Sequence, residues 1–328
     1  MVTLKDVAKK AGVSPSTVSR VLNNKMKVMP ETKQRIVNTV EEMGYRVNEI
    51  AKGLRTSRTR TLGLILPTIS NAYYTELARG VEEYASLHGY NVFLCNSRRD
   101  INIQRNYIDT LLSKKIDGLI VTTFELEQED IHLLLENKIA VVFNGRTKSS
   151  GIDEVGIDHA EASYEMTKYL LGLGHGRIAL INGPFDSKRN QSRVKGFKKA
   201  HQDIGITVYE ELIKYSDYSA ENSFAIANEL LKLKNRPTCI FTTDNMALGV
   251  LNAAFDNGLK VPSDLSVAGF DNAVFTRPSL TTIYHPNYDM GKTMARLAIS
   301  WINSERSIPK RSIILKTKLI KGNSTTSI

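Results

Sequence analysis

The stretch DVAKKAGVSPSTVSRVLNNK, residues 6–25, contains two short segments with apolar side chains at helical spacing, separated by Gly-Val-Ser-Pro. Gly12 is a residue type that commonly follows the end of a helix. Ser14 and Pro15 are typical of a helix start, with serine as the N-cap and proline in the first turn. The stretch therefore predicts two short helices joined by a tight turn.

Flanking residues extend this unit to three helices. Thr3 can cap the first helix, and Asp6, three residues later, stands in the position of a capping box. A third helix is predicted to begin at Pro30, with Met29 as a weak cap, and to stop at Gly44. Its buried face is predicted to contain Ile36, Val37, Val40 and Met43. Three such helices are typical of a helix-turn-helix, whose second helix enters the major groove of DNA.

Positive charge is concentrated in this N-terminal part of the chain. Residues 1–60 hold 13 Lys and Arg against 5 Asp and Glu, whereas the whole chain of 328 residues has a net charge of +10. The remaining residues are therefore nearly neutral. A basic head on a near-neutral body indicates that the head binds a polyanion.

Other features of the sequence limit the class of protein. The N-terminus has no signal-peptide pattern, and no apolar run approaches the ~20 residues that span a bilayer. Cys95 and Cys239 lie far apart in apolar runs, which predicts buried thiols. No catalytic motif is found, and the six histidines lack the spacing of metal ligands. We expect a cytoplasmic protein with no membrane segment, metal or other cofactor, and a binding protein rather than an enzyme.

Beyond residue 60, apolar runs alternate with amphipathic stretches. The predicted strands are 62–66, 91–96, 117–122, 140–144, 177–182, 239–242 and 265–270, and the predicted helices include 73–87, 103–113 and 160–172. This alternation is typical of parallel sheets covered by helices on both faces. We therefore expect an all-α helix-turn-helix head and an α/β body of two doubly wound parallel-sheet lobes with a ligand cleft between them. The predicted divisions are a head at 1–46, a hinge at 47–60 and a body at 61–328, with lobes at 61–159 plus 286–320 and at 160–285.

The segment VTLKDVAKKAGVSPSTVSRVLN closely resembles the DNA-binding head of the lactose repressor family of bacterial transcription regulators. The resemblance continues through NEIAKGLRTSRTRTLGLILP and, more loosely, through the body to about Lys321. It implies that the head binds operator DNA and that the body is built like a periplasmic sugar-binding protein.

The family pattern also implies roles for single residues. Pro15, Ser16 and Arg20 take the base-reading positions, and a guanidinium such as that of Arg20 can grip guanine O6 and N7 together. Phosphate contacts are implied for Thr3, Ser14, Thr17, Ser19 and Asn23. In the hinge, Leu54, flanked by Arg55, takes the position of a leucine that wedges between base pairs in the minor groove.

Polar residues follow the predicted strands at the expected cleft. Position and resemblance together give the predicted effector-binding residues as Asn71, Tyr73, Thr122, Asn144, Arg193, Tyr218, Asp271 and His285. Amides, hydroxyls, aromatic rings and a guanidinium in one place suit a polyol. Lys188 and Arg189, in a polar loop before Arg193, leave open whether the effector is a sugar, a sugar acid or a phosphosugar.

The favoured interpretation is a homodimeric transcriptional regulator, a repressor of carbohydrate-metabolism genes, which binds a pseudo-palindromic operator and responds to a small sugar-like effector. A second interpretation is a global catabolite regulator whose corepressor is a phosphocarrier protein. A third, from another class, is an enzyme of sugar or nucleoside metabolism with an accessory basic head. The polar C-terminal segment KGNSTTSI, residues 321–328, is expected to fray.

Overall fold

A computed structural model of the protein describes residues 2–22, 28–45, 58–123, 126–145, 151–304 and 309–328. The chain divides into two compact units, Met1–Thr59 and Arg60–Ile328. The predictions for Asn23, Leu54 and Arg55 lie outside the described residues.

Three short helices make up the first unit. They are α1 (Leu4–Ala11), α2 (Pro15–Leu22) and α3 (Pro30–Glu42). The predicted caps are confirmed: Thr3 and Asp6 form a capping box, and Gly12 follows α1 in the left-handed region with a φ of 65°. At the start of α2, the Ser14 hydroxyl accepts a hydrogen bond from the backbone N–H of Thr17 at 3.1 Å.

A small apolar core holds the three helices together. Its buried members are Val7, Ala8, Ala11, Val18, Val21 and Ile36. On α3, Ile36 is buried as predicted, and Thr39 is buried and donates its hydroxyl to the Arg35 carbonyl. Val37, Val40 and Met43 are half-buried, and of these Val40 and Met43 pack against the core. Helical spacing explains this correction, because positions 36, 39, 40 and 43 share one face and position 37 lies beside it.

The first lobe of the second unit is a parallel sheet with helices on its faces. Its strands are β1 (Thr61–Leu66), β2 (Asn91–Asn96), β3 (Gly118–Val121), β4 (Ala140–Asn144), β5 (Asp153–Ile157) and β11 (Ser312–Leu315). Its helices are α4 (Ala72–Leu87), α5 (Ile101–Ser113), α6 (Gln128–Glu136) and α11 (Asn287–Asn303). The strand order is β2-β1-β3-β4-β5-β11, and every pair is parallel.

The second lobe contains a smaller parallel sheet and an antiparallel pair. Its strands are β6 (Ile178–Asn182), β7 (Ile213–Tyr215), β8 (Cys239–Phe241), β9 (Ser266–Ala268), β10 (Thr282–Tyr284) and β12 (Lys318–Ile320). Its helices are α7 (His159–Gly172), α8 (Lys188–Asp203), α9 (Ala220–Leu231) and α10 (Asp244–Asp256). The parallel order is β7-β6-β8-β9, and β10 pairs with β12.

The chain passes between the lobes three times: after β5, between β10 and α11, and between β11 and β12. The predicted fold class, a helical head and a body of two parallel sheets, is confirmed. The sequence prediction assigned residues up to 320 to the first lobe, whereas β12 pairs with β10 and so lies in the second.

Paired helices in both lobes approach each other at glycines. A Cβ at Gly80 of α4 would lie 2.1 Å from a backbone oxygen of α11, and a Cβ at Gly291 of α11 would lie 2.0 Å from a backbone oxygen of α4. The α7–α8 and α9–α10 pairs contain the same contact at Gly196 and Gly249. These helices therefore touch backbone to backbone, at distances that a side chain would prevent.

The C-terminal residues are hydrogen-bonded to the second lobe. The buried Ser324 hydroxyl donates to the Val267 carbonyl at 2.5 Å, and the Ile328 N–H donates to the Leu173 carbonyl at 3.0 Å. The expectation that this segment frays was wrong, because its hydroxyl and amide groups pair with the lobe instead of with water.

The sequence predicts buried thiols and no membrane-spanning segment. Cys95 and Cys239 are buried free thiols, as predicted, and burial raises the pKa of both. Across the described ranges, no helix has the length and apolar character needed to cross a membrane.

Candidate ligand-binding cleft and DNA-binding head

A cleft lies between the two lobes of the second unit. It has a wide end with a volume of about 530 Å³ and a deep end of about 30 Å³. Most of its lining residues follow the carboxyl ends of strands, as the topology of open α/β sheets dictates. Both ends share the residues Arg99, His159, Arg189 and His285. We call the region around these four residues the junction.

Six of the eight predicted effector-binding residues line the deep end. They are Asn71, Tyr73, Arg193, Tyr218, Asp271 and His285. Asn144 lines the wide end. Thr122 is not among the lining residues that the structure describes, because it is fully buried and its hydroxyl donates to the Ile65 carbonyl at 3.1 Å.

Arg193 and Asp271 face each other across the deep end. A guanidinium nitrogen of Arg193 lies 3.9 Å from a carboxyl oxygen of Asp271, and the guanidinium stacks 4.1 Å above the centroid of the Phe270 ring. Within the described residues, the buried Nε of Arg193 has no hydrogen-bond partner. Burial raises the pKa of Asp271 to about 8, against the opposing effect of Arg193. The deep end therefore offers a guanidinium donor and a carboxyl group that can donate or accept.

The raised pKa of Asp271 predicts a pH-dependent stability. The pKa of Asp271 is about 8 in the folded chain, against 3.8 for an unperturbed aspartate. Between these two pH values the folded chain therefore holds one proton more than the unfolded chain. This proton's contribution to the free energy of unfolding is complete below pH ~4 and is lost as the pH rises to about 8. The free energy of unfolding falls by at most about 1.4 kcal/mol per pH unit in this range. Asp271→Asn should remove this slope, measured by urea unfolding at pH 5, 6.5 and 8.

Asp256→Asn, at an exposed position of α10, is the matched control and should leave the slope as it is in the parent chain. Parallel stability curves for the parent and Asp271→Asn would contradict a proton held on Asp271.

Aromatic and imidazole rings form one wall of the deep end. The Tyr73 and His285 rings meet edge to face with centroids 4.9 Å apart, and His159 lies 6.2 Å from His285. Burial, with smaller effects from nearby arginines, lowers the pKa of His285 to about 3 and that of His159 well below its usual value. The wall is therefore uncharged near neutral pH. It can lie against the CH face of a sugar while its nitrogen and hydroxyl atoms bond to sugar hydroxyls.

The backbone around the cleft is held in uncommon conformations. Arg99, Tyr218 and Asp271 have φ values of 62°, 69° and 113°, in the left-handed region. Asp244 fixes the loop that carries Asp271, because its carboxylate accepts hydrogen bonds from the backbone N–H of Ala273 at 2.8 Å and, at 2.6 Å, from a threonine hydroxyl on β10. Uncommon conformations of this kind persist where surrounding contacts over-determine them, and they cluster at functional sites.

Contacts between the lobes involve two arginines whose position the sequence did not predict. Arg189 of the second lobe donates to both the carbonyl and the side-chain oxygen of Asn144 in the first lobe, the latter at 2.6 Å. Arg99 of the first lobe donates to the Asp217 carbonyl in the second, and its guanidinium lies 5.1 Å from the Tyr218 ring centroid. Arg189 was predicted in a loop but lies in the first turn of α8.

Two more lining residues, His159 and Thr243, were not predicted from the sequence. His159 follows β5, a strand that the sequence did not predict, so the rule of reading residues after strands did not reach it. Thr243 follows β8, and its buried hydroxyl has no partner within the described residues. A correct assignment of β5 was the missing signal for His159.

The second helix of the head presents its polar face to solvent. Ser14, Pro15, Ser16 and Arg20 are exposed, as is Thr3 before α1. Thr17 and Ser19 are half-buried beside the core. The Ser14 hydroxyl lies 2.7 Å from that of Ser16 and 2.8 Å from that of Thr17, so three hydroxyls cluster at the start of α2. Hydroxyls at a helix N-terminus are well suited to phosphate oxygens.

A helix-turn-helix head followed by a two-lobed binding body defines a ligand-responsive DNA-binding regulator. Residues 59–322 match the family described as periplasmic binding proteins and sugar binding domain of LacI family, and residues 3–48 match bacterial regulatory proteins, lacI family. The protein belongs to the LacI family of bacterial regulatory proteins, as the sequence resemblance predicts.

Individual relatives agree with this assignment. The chain is 37% identical over 310 residues to catabolite control protein A of Priestia megaterium, covering 93% of each chain. It is similar to the lac repressor dimer bound to operator and the anti-inducer ONPF, with a TM-score of 0.87, 25% identity and 99% of each chain covered. For the CelR–cellobiose complex the TM-score is 0.74 at 28% identity, with 99% of this chain and 100% of that chain covered. The protein is a transcriptional regulator and not an enzyme.

Proposed function

We propose that this protein is a cytoplasmic, homodimeric repressor of carbohydrate-metabolism genes, whose affinity for a pseudo-palindromic operator changes when a small sugar-like effector binds in the cleft. The observation that carries the proposal is the deep end of the cleft, where six residues expected to bind effector come together. The matched family includes sugar-binding domains, and CelR is a regulator in complex with cellobiose.

The chemistry of the cleft supports a polyol. The uncharged ring wall of Tyr73 and His285 offers a surface for CH groups, and Arg193, Asp271 and Asn144 offer donors and acceptors for hydroxyls. A volume of about 530 Å³ at the wide end lies within the range of small-molecule sites.

Exposed apolar side chains support a homodimer. Phe93 and Leu94, on the edge strand β2, are 45% and 50% exposed. Phe255 of α10 and Phe275 are 82% and 90% exposed. Edge strands with apolar side chains are normally covered by a partner, and the lac repressor neighbour is a dimer.

A two-step binding experiment tests the proposal. A thermal-shift screen of sugars, sugar acids and nucleobases identifies ligands, since a ligand at ~100 times its dissociation constant stabilises by about 2.7 kcal/mol. Operator affinity is then measured with and without each hit. The effector proposal fails if no hit alters operator binding. A requirement for a protein partner would favour the alternative, a catabolite regulator with a phosphocarrier corepressor, which has in its favour the likeness to catabolite control protein A.

For the head, the proposal assigns base reading to Pro15, Ser16 and Arg20, with the phosphate and hinge contacts that the family pattern implies. Arg20→Ala should reduce discrimination between operator and random DNA by about 1–3 kcal/mol. Non-specific binding should remain, because phosphate contacts do not depend on sequence. Gel-shift titrations on both DNAs at fixed salt measure the two affinities.

Arg35→Ala, an equal loss of charge at an exposed position of α3, is the control and should leave the ratio of affinities unchanged. Equal weakening on both DNAs by Arg20→Ala would mean that Arg20 contacts phosphate only.

A further inference from the structure

Basic side chains from both lobes converge on the junction of the cleft. Arg189 and Arg193 are four residues apart on α8, so they share one face of that helix. Arg99, from the loop after β2, lines the deep end from the other lobe. Lys188 lines the wide end beside Arg189. Of these four side chains, Arg99 and Lys188 are exposed to solvent, Arg189 is half-buried and Arg193 is buried.

Five carboxyl groups also line the cleft. Asp100 and Asp158 accept backbone hydrogen bonds as the N-caps of α5 and α7, and Glu127 is in an ion pair with an arginine of α5. Asp186 is exposed to solvent. Burial raises the pKa of Asp271, so its carboxyl group is largely protonated near neutral pH. Positive charge inside the cleft is therefore concentrated on α8, at the half-buried Arg189 and the buried Arg193.

The start of α8 adds backbone donors at the same place. Within the described residues, α4, α5, α7 and α9 each begin with a side chain that accepts hydrogen bonds from the first turn. Ser187, the buried N-cap of α8, makes no such bond, as is also the case for the N-caps of α3, α6, α10 and α11, and it lines the wide end. Independently, the Nε of Arg193 is buried without a partner in the described part of the chain, and Arg193 is only 8% exposed. Both features leave donors that a ligand oxygen can satisfy.

Resting on the proposed function, we propose that the effector is an anionic polyol whose carboxylate or phosphate binds at the junction, between the start of α8 and the guanidinium groups of Arg189 and Arg193. Charge-assisted hydrogen bonds to guanidinium are about twice as strong as neutral ones. A helix N-terminus stabilises the same negative charge through its free amides and dipole. The uncharged hydroxyls of the ligand occupy the wide end, against Asn144 and the imidazole rings of His159 and His285.

Matched ligand pairs test this proposal by isothermal titration calorimetry. The pairs are glucose with glucose 6-phosphate, glucose with gluconate, and ribose with ribose 5-phosphate, with inorganic phosphate as a fragment. The anionic member of at least one pair should bind roughly tenfold or more tightly than its neutral partner. Added salt should weaken the anionic member more than the neutral one. The phosphate and carboxylate arms show which anion the junction prefers.

Two variants on one helix locate the anion. Arg189→Gln should remove most of the preference for the anionic member, whereas Lys195→Gln, an equal loss of charge at an exposed position of α8 outside the cleft, should keep it. The comparison uses the ratio of the two dissociation constants within each pair, so an effect of the substitution that is the same for both ligands cancels. A neutral member that binds as tightly as its anionic partner overturns the anion proposal and leaves the sugar effector standing. A preference that survives Arg189→Gln also overturns it. Failure of every ligand, with no heat of binding from phosphate, removes this proposal, and the wider ligand screen then decides whether the effector site stands.

Discussion

Arg193→Met should lower effector affinity by more than about a hundredfold and so abolish the effect of the ligand on operator binding. Arg193 is the one residue of the deep end that combines a stacked guanidinium with a buried, unpaired donor within the described residues. Without Arg193, a buried ligand oxygen would lose a charged hydrogen bond, and the free-energy cost of its desolvation would remain. Calorimetry with a hit from the ligand screen, followed by gel shifts with that ligand, measures both effects.

The fold should tolerate this substitution. Methionine can keep the contact with the Phe270 ring, because its thioether packs well against aromatic side chains. Loss of the guanidinium raises the pKa of Asp271 further, so Asp271 stays neutral instead of becoming an unpaired buried charge. Operator binding without ligand should therefore be normal. Lys195→Met, on the exposed face of the same helix, is the matched control. Unchanged ligand affinity in Arg193→Met would exclude the deep end as the effector site.

Gly291→Ala should destabilise the body by about 3 kcal/mol. A Cβ at this position would lie 2.0 Å from the backbone oxygen of Leu77, well inside van der Waals contact. The oxygen belongs to helix backbone, so α4 and α11 can relieve the clash only by moving apart. That movement would loosen the surrounding core, in which Leu77, Val81 and Met294 are fully buried. Urea unfolding followed by circular dichroism measures the loss.

Gly172→Ala is the control, because it replaces a glycine by alanine without a steric clash. Gly172 is the last residue of α7, and an added Cβ would meet no atom within 4 Å. Alanine favours helix, so this variant should be as stable as the parent or more stable by up to about 1 kcal/mol. If Gly291→Ala proved equally harmless, the close approach of α4 and α11 would not be a stabilising contact.

The head could be predicted from sequence because its signals are local. Thr3, Gly12 and Ser14 each act on backbone groups within a few residues, so their identity and spacing fix the helix ends. Asn144 and Asp271 could be found because the strands before them are apolar and recognisable, and parallel strands bring their carboxyl ends to one side, whereas Arg193 was assigned from the family pattern.

The missed parts depend on distant contacts. β5 has the sequence DEVGI, which is too acidic to suggest a buried strand. It is buried because Asp153 pairs with Arg311 at 2.5 Å and Glu154 pairs with Lys310 at 3.1 Å. Arg189 reaches the cleft through its contact with Asn144, on the other lobe. Neither ion pairs nor contacts across a cleft leave a periodic pattern in the sequence.

The three passages of the chain between the lobes have a consequence for synthesis on the ribosome. When residue 285 has been made, the first lobe still lacks α11 and β11, so the face of α4 around Gly80 and the free edge of β5 are uncovered. The second lobe still lacks β12 and the segment that hydrogen-bonds to β9 through Ser324. The first lobe is complete only after β11 and the second only after Ser324, and exposed sheet edges make such intermediates prone to aggregation. The helices of the head, by contrast, are complete after the first 45 residues. The nascent regulator therefore carries a finished helical head through most of its translation, before it has a finished cleft.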